Sequence, residues 1–419
     1  MKKLSANYIF PISSKPIKNG VVIVDDKGMV LDVLGDSEGL EDVEVFEGII
    51  CPGFVNTHCH LELSHLRGKL PERQGLVNFL ISLFNVRVAG EEIIKEAMKQ
   101  AEQEMIANGI IAVGDISNET DSFVQKADSK LSYYTFIETL GFQPDRAEPA
   151  LAKAMRLHDE LTTKYKLQGS VTPHAPYSVS EELFGKTNAF AIKNDCILSI
   201  HNQESEAENL FYKQGRGELL KLYEHFDIDI SCWKPTGKTS LQSVLGYFPV
   251  NRKLLLVHNT YTTFDEINST SNHYSIANFA HNKSPNHQSS AERSRSITQS
   301  PNNICWCFCP NANLYIENRL PDLKLFINAG VRITIGTDSL ASNRSLSILD
   351  ELKTISENTP QVKLEQLLLW ATKNGAEFLG FDEKFGTIEK GKCPGIILIE
   401  NVDVENLQMT GQSSVRRII

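Results

Sequence analysis

Two kinds of hydrophobic pattern alternate along this chain. Near the N-terminus, apolar runs of strand length are separated by turns. Residues 20–24 (Gly-Val-Val-Ile-Val), the polar turn Asp25-Asp26-Lys27-Gly28 and residues 29–33 read as a hairpin with a Gly-containing turn. The same style returns near the C-terminus, where Gly386-Thr387-Ile388 and Gly391 precede the apolar run from Gly395 to Ile399. Two β-rich ends around a long middle predict one small β-sandwich domain assembled from residues 1–50 and 385–419.

The middle, residues 51–384, alternates short apolar runs with stretches of helical spacing such as 91–107 and 206–226. Strands are expected at 48–58, 109–115, 133–138, 169–174, 197–201, 254–258, 304–309 and 331–338. Repeated βα units of this number close naturally into a (β/α)8 barrel. The expected fold class is therefore α/β, a (β/α)8 TIM barrel carrying the small terminal β-sandwich. Residues 269–303 break the pattern, being rich in Ser, Asn, His and Gln, and read as a loosely packed polar insertion. His273, His281 and His287 within it are irregularly spaced and are expected to be solvated.

Composition narrows the function. The 419 residues are 41% hydrophobic and 22% charged, an ordinary globular mix, with a net charge of -10 spread along the chain. Neither nucleic acid nor an anionic membrane is an expected partner, since each calls for a basic patch. No apolar run reaches the length of a membrane span. The N-terminal apolar stretch is interrupted by Ser5, Asn7 and Pro11 and lacks a small-residue cleavage site, so it reads as the first strand of a cytoplasmic protein. Cys305, Cys307 and Cys309 alternate as strand residues do, which suits buried thiols better than a zinc knuckle.

Position along the strands points to chemistry. His58, Asp115, Glu138, His174, His201, His258 and Asp338 fall at or just after the expected C-terminal strand ends, where barrel enzymes assemble their active sites. His58 and His60 are alternate residues, so both imidazoles can reach one ion. His201 closes an apolar strand, with Glu204 three residues on, and His258 repeats the arrangement. Asp338 follows Gly336, expected to permit a sharp turn, and its carboxylate would enter the ring beside His58. Singly, each of these side chains could be a satisfied core residue. Their shared placement favours a site for zinc or a similar divalent cation.

These residues also carry a family resemblance. The stretches Pro52-Gly53-Phe54-Val55-Asn56-Thr57-His58-Cys59-His60, Thr172-Pro173-His174-Ala175-Pro176-Tyr177, His201-Asn202-Gln203-Glu204, Val257-His258, Cys309-Pro310-Asn311-Ala312-Asn313, Gly336-Thr337-Asp338-Ser339 and residues 386–392 are similar to the amidohydrolase superfamily. Within it, the chain resembles the branch of cytosine, guanine and adenosylhomocysteine deaminases. The run His60-Leu61-Glu62-Leu63-Ser64, with Arg67, Phe79 and Arg87 beyond it, is most similar to aminodeoxyfutalosine deaminase-like members. The resemblance implies one zinc or iron ion held by His58, His60, His201 and Asp338, with Glu204 as proton shuttle, His258 as the residue orienting water and His174 as a substrate contact; Glu138 and Arg87 are further candidate substrate contacts. Asn311-Ala312-Asn313 stands where Arg-Ser-Asn is more usual, and the polar insertion has no counterpart in that pattern.

The function expected is metal-dependent hydrolytic deamination of a small-molecule purine, pterin, pyrimidine or nucleoside-like amine. Hydrolysis of a cyclic amide or a chlorotriazine uses much of the same equipment and remains open, as does a barrel that only binds. The expected fourth strand ends in His174 without a lysine, which favours one metal over a lysine-bridged pair. A homo-oligomer is compatible with all of this.

Overall fold

The computed structural model describes residues 1–281 and 303–419, with side chains described as far as His273 and from Asn303 onward. Both termini build one seven-stranded sheet. Its strands are β1 (Lys2–Ile9), β2 (Ile17–Lys18), β3 (Val21–Val24), β4 (Val30–Leu34), β5 (Val43–Pro52), β14 (Ile396–Glu400) and β15 (Ser414–Arg417), in the order β15-β14-β5-β1-β3-β4, with β2 on β1. Antiparallel pairing sets Ile397 opposite Cys51 and Leu398 opposite Ile50, tying the two chain ends together. Leu4, Ile9, Val22, Val24, Ile50 and Leu398 make its apolar core. The hairpin expected at 20–33 is present: Asp25 Oδ1 accepts from the amides of Lys27 and Met29, and Gly28 takes φ +83°.

The middle forms two four-stranded parallel sheets. One joins β6 (Phe54–Cys59), β7 (Ile110–Ser117), β8 (Ser132–Thr139) and β9 (Gln168–Pro173); the other joins β10 (Leu198–Asn202), β11 (Leu254–His258), β12 (Ile304–Phe308) and β13 (Ile333–Ile335). β6, β7, β10, β11, β12 and β13 are buried along their whole length, as expected where helices or side chains cover both faces. Cys305, Cys307 and Cys309 are buried free thiols. Hydrogen bonds also cross between the sheets. The His201 amide donates to the His174 carbonyl at 2.9 Å, and the Thr337 and Asp338 amides both donate to the His58 carbonyl at 3.0 Å.

Three expectations change. The run 48–58 is not one strand, because the chain leaves the terminal sheet at Pro52 and starts β6 at Phe54. Proline lacks an amide donor for pairing, and at Gly53 a Cβ would lie 2.4 Å from Ile111 Cγ2 and 2.7 Å from the Gly395 carbonyl. Glycine alone makes that junction. Second, residues 269–281 belong to an 18-residue helix, Phe264–His281, rather than to a loose insertion. Its start carries a capping signature: Thr263 Oγ1 accepts from the Glu266 amide, and Glu266 Oε2 accepts from the Thr263 amide at 2.8 Å. Ile267 and Thr270 are buried, and His273 is half-buried rather than fully solvated. The rest of the polar segment, with His287, lies outside the described residues, as does the His281 side chain. Third, Gly336 is needed for close approach rather than for a turn. A Cβ there would meet His58 Cβ at 2.7 Å and the His58 carbonyl at 2.9 Å. No helix among the described residues is long and apolar enough to cross a membrane.

Candidate active site

The carboxyl ends of the parallel strands bring His58, His60, His201 and Asp338 close together. His58 lies in β6 and His60 just after it, and His60 Nε2 is 3.1 Å from His58 Nε2 and 3.3 Å from His201 Nε2. Asp338 Oδ1 lies 3.4 Å from His60 Nε2 and 3.7 Å from His58 Nε2. A tetrahedral cation with metal–nitrogen bonds of 2.0–2.1 Å would have ligand atoms about 3.3–3.4 Å apart, so the spacing fits. The chemistry fits as well. His201 Nδ1 donates to the His174 carbonyl at 2.8 Å, which leaves Nε2 bare and facing inward. One imidazole proton on His60 can bridge only one of its two close contacts. A cation between the three nitrogens would engage all of their lone pairs at once. Burial pushes the His58, His60 and His201 pKa values down, keeping the rings neutral as metal binding requires.

The backbone here is held in an uncommon conformation. Asp338 takes φ +58° and His258 φ +73°, left-handed values that are costly for residues with side chains. The bond from the Asp338 amide to the His58 carbonyl holds the first in place. Ser342 Oγ then donates to Asp338 Oδ2 at 2.7 Å, leaving Oδ1 toward His58 and His60.

Beside this cluster stand the acid–base candidates. Glu204 Oε1 is 3.6 Å from His258 Nε2. Burial, followed by the negative charges of Asp338 and Glu317, drives the Glu204 carboxyl well above the usual carboxylate range and favours its protonated form. His258 Nδ1 sits 3.1 Å from Asn313 Oδ1, while the Asn313 amide nitrogen donates to Thr260 Oγ1. The amide orientation therefore makes His258 Nδ1 the donor and leaves Nε2 free to accept.

A cavity of about 680 Å³ opens above these groups and is lined by His60, His174, His201, Glu204, His258 and Asp338 at its floor. Leu76, Phe79, Leu83, Phe142, Tyr223 and Phe226 give it apolar walls. The candidate contacts Glu138, His174 and Arg87 all line it. Glu138 Oε1 lies 3.5 Å from His201 Nδ1, and its carboxyl is pushed up to about 8 by burial. His174 Nδ1 pairs with Ser178 Oγ at 2.7 Å, and burial lowers its pKa to about 3.

Asp115 is brought elsewhere. It lies inside β7, two residues before its end, where Lys126 Nζ pairs with Oδ2 at 2.6 Å and the Leu61 amide donates to Oδ1 at 2.8 Å. Its charge is used in holding the turn after His60. The residue that does face the cavity from β7 is Asn118, absent from the sequence expectations. It accepts from Arg87 Nη2 at 3.0 Å and donates to Glu138 Oε2 at 3.1 Å, while its amide donates to Glu62 Oε2 at 2.9 Å. Glu62, its carboxyl raised to about 7 by burial, was likewise not singled out for a role. The signal for Asn118 was strand length: β7 extended to Ser117 places Asn118 first beyond it.

Known proteins share this organisation. The profile of the amidohydrolase family matches residues 49–415. A curated adenosine deaminase from Helicobacter pylori is 28% identical over 386 residues, spanning 88% of this chain and 86% of the relative. Among solved structures, Helicobacter pylori aminofutalosine deaminase in complex with methylthio-coformycin aligns with a TM-score of 0.75 at 22% identity, covering 98% of this chain and 94% of that one. An adenosine deaminase from Xanthomonas campestris with bound zinc aligns with a TM-score of 0.69 at 22% identity, covering 96% and 85%. These structural likenesses show a shared fold.

Proposed function

The chain belongs to the amidohydrolase family, and we propose that it is a mononuclear metal-dependent aminohydrolase releasing ammonia from a purine-nucleoside-like amine. The observation that carries this reading is the buried Glu204 carboxyl, raised toward its protonated form and 3.6 Å from His258, beside the three imidazoles of His58, His60 and His201 with Asp338 Oδ1 3.4 Å from His60. His58, His60, His201 and Asp338 would hold the cation, with zinc favoured by the relative in which it is bound. When bound, a divalent cation supplies Lewis-acid activation, bringing the pKa of water to about 7.

The chain's own groups then divide the work. His258, with Nδ1 donating to Asn313, offers Nε2 as the acceptor that orients the attacking water. Glu204 protonates the ring nitrogen next to the amine-bearing carbon. The resulting carboxylate takes one proton from the attacking water and passes it to the departing amine, while the water's other proton goes to Asp338 and returns Glu204 to its acid form, so that water and amine become carbonyl and ammonia. Each such transfer contributes roughly 10²–10⁴-fold. Asp338 is the second proton acceptor within reach, its Oδ2 already engaged by Ser342.

The cavity's size supports a substrate larger than a free base. We assign the heterocycle to the polar floor and an apolar substituent to the walls formed by Phe79, Phe142 and Tyr223. His174, Glu138 and Arg87 are the proposed substrate contacts, with Asn118 joining the last two. The cross-sheet bonds at β9–β10 and after β13 support closure of the eight parallel strands into a barrel spanning 51–384, with 1–50 and 385–419 as the appended domain. The test is ammonia release from a panel of purine, pterin, pyrimidine and triazine amines, followed by the matching spectral change of the base. Turnover of an adenosine-type amine is expected. Lactam opening or chloride release without ammonia would replace this reading by another hydrolysis.

A further inference from the structure

Gln203 stands between His201 and Glu204, and its side chain is hydrogen-bonded at both its oxygen and its nitrogen. It is fully buried and takes φ +46°, a left-handed value unusual for a residue with a long side chain. Its Nε2 donates to Asn209 Oδ1 at 3.1 Å and to Glu266 Oε1 at 2.7 Å, and its Oε1 accepts from Thr262 Oγ1 at 2.7 Å. Its amide donates to Glu208 Oε1, and its carbonyl accepts from the Tyr261 amide, each at 3.1 Å. Glu266, the carboxylate it meets, also accepts from Thr239 Oγ1 and from the amide and hydroxyl of Thr263.

These partners belong to different elements. Glu208 and Asn209 lie on the helix after β10, whereas Tyr261, Thr262 and Glu266 belong to the segment after β11. Gln203 therefore pins the loop that carries Glu204 to the loop that follows His258. A neighbouring pair reinforces the tie, with Asn202 Nδ2 donating to Asn259 Oδ1 at 2.9 Å and the Asn259 amide donating to the Asn202 carbonyl at 3.0 Å. Glu204 itself has no comparable anchor among the described residues; its Oε1 lies 3.6 Å from His258 Nε2.

We propose that Gln203 is a positioning residue that sets the Glu204–His258 geometry by clamping these two loops together. The proposal rests on the reading of Glu204 as the proton shuttle. The Gln203 side chain is bonded at both its oxygen and its nitrogen, a buried network of this kind restrains what it joins, and proton transfer is sensitive to small displacements of the acid.

The test is a double-mutant cycle on the metal-loaded full chain, assayed by ammonia release. Gln203→Leu should lower kcat about 10-fold or more, with KM changed less than about 3-fold and metal content unchanged. In a Glu204→Gln background the same change should cost little, because the residue it positions is already disabled. Equal losses in the two backgrounds, or an unchanged kcat in Gln203→Leu, would overturn the proposal. Should Gln203→Leu not fold, the exchange of Gln203→Glu combined with Glu266→Gln keeps one amide against one carboxylate. It should retain far more activity than Gln203→Glu alone, and equal loss in both would count against the clamp. Amide hydrogen exchange supplies a readout independent of turnover. Release of the clamp should speed exchange at residue 203 and Tyr261, and no change there would contradict it. Near-normal turnover in Glu204→Gln would instead sink the shuttle reading, leaving the exchange measurement to judge the clamp.

Discussion

The terminal sheet and the carboxyl ends of the parallel strands are both deeply buried, yet they bury opposite kinds of group. The terminal sheet packs Leu4, Ile9, Val22, Ile50 and Leu398 into an apolar core. The strand ends instead bury His58, Glu62, Asp115, Glu138, His201, Glu204, His258 and Asp338 within a short distance of one another. Apolar burial stabilises directly, at roughly 25 cal/mol per Å². Burying polar and charged groups costs free energy unless partners meet them. The site meets part of that cost with hydrogen bonds such as those on Asp115 and Glu62. It leaves Glu204 and the imidazole cluster under-partnered. A region that departs from the most stable packing in this way is where function is expected to reside.

Mutations can break this contrast, and the largest effects should come from the cluster. His58→Ala or Asp338→Ala should abolish ammonia release and strip the protein of tightly bound metal, measured by elemental analysis. Retained metal in both variants would mean that the ion sits elsewhere. Glu204→Gln should keep the metal and the fold while kcat falls by roughly 10²–10⁴-fold, the range for a lost proton shuttle. Turnover close to that of the parent would reduce Glu204 to a loop carboxylate.

Lys126→Met asks about the paired charge next to the site. It leaves Asp115 buried without its cation, so denaturant unfolding should show a loss of about 3–5 kcal/mol. Because Asp115 also holds the Leu61 amide, metal affinity should weaken as well. A variant as stable as the parent would show that Asp115 is neutral or finds water. The smallest effect belongs to the terminal sheet: Ile396→Val, fully buried in β14, should cost about 0.5–1.5 kcal/mol and leave kcat and KM untouched. A kinetic change from that substitution would join the two regions that the comparison separates.

Much of this was legible in the chain, for identifiable reasons. Eight apolar runs marked the parallel strands, and the strand-end rule brought His58, His60, His201, His258 and Asp338 into view together, because side chains on alternate positions and at equivalent strand ends share a direction. Asp115 obeyed the same rule and lay elsewhere. A run of β-forming residues does not reveal that its strand continues two positions further, nor that Lys126, on the following helix, will pair with the carboxylate. Asn118 was missed for the same reason. The polar segment misled through composition: Ser, Asn and His at 269–273 suggested a loop, although Thr263 and Glu266 already spelled a helix start. Gln203 lay beyond sequence reading altogether, since its partners Glu266, Thr262 and Asn209 come together only through packing of consecutive loops.

The central claim is a single-metal site performing deamination, and titrating the metal-free protein tests it most directly. Zinc would be added in steps while ammonia release from an adenosine-type amine is followed. The rate should rise linearly and level off at one equivalent of zinc per chain, with one ammonia formed per base converted. A rise that continues to two equivalents, or full activity in the metal-free protein, would contradict the account.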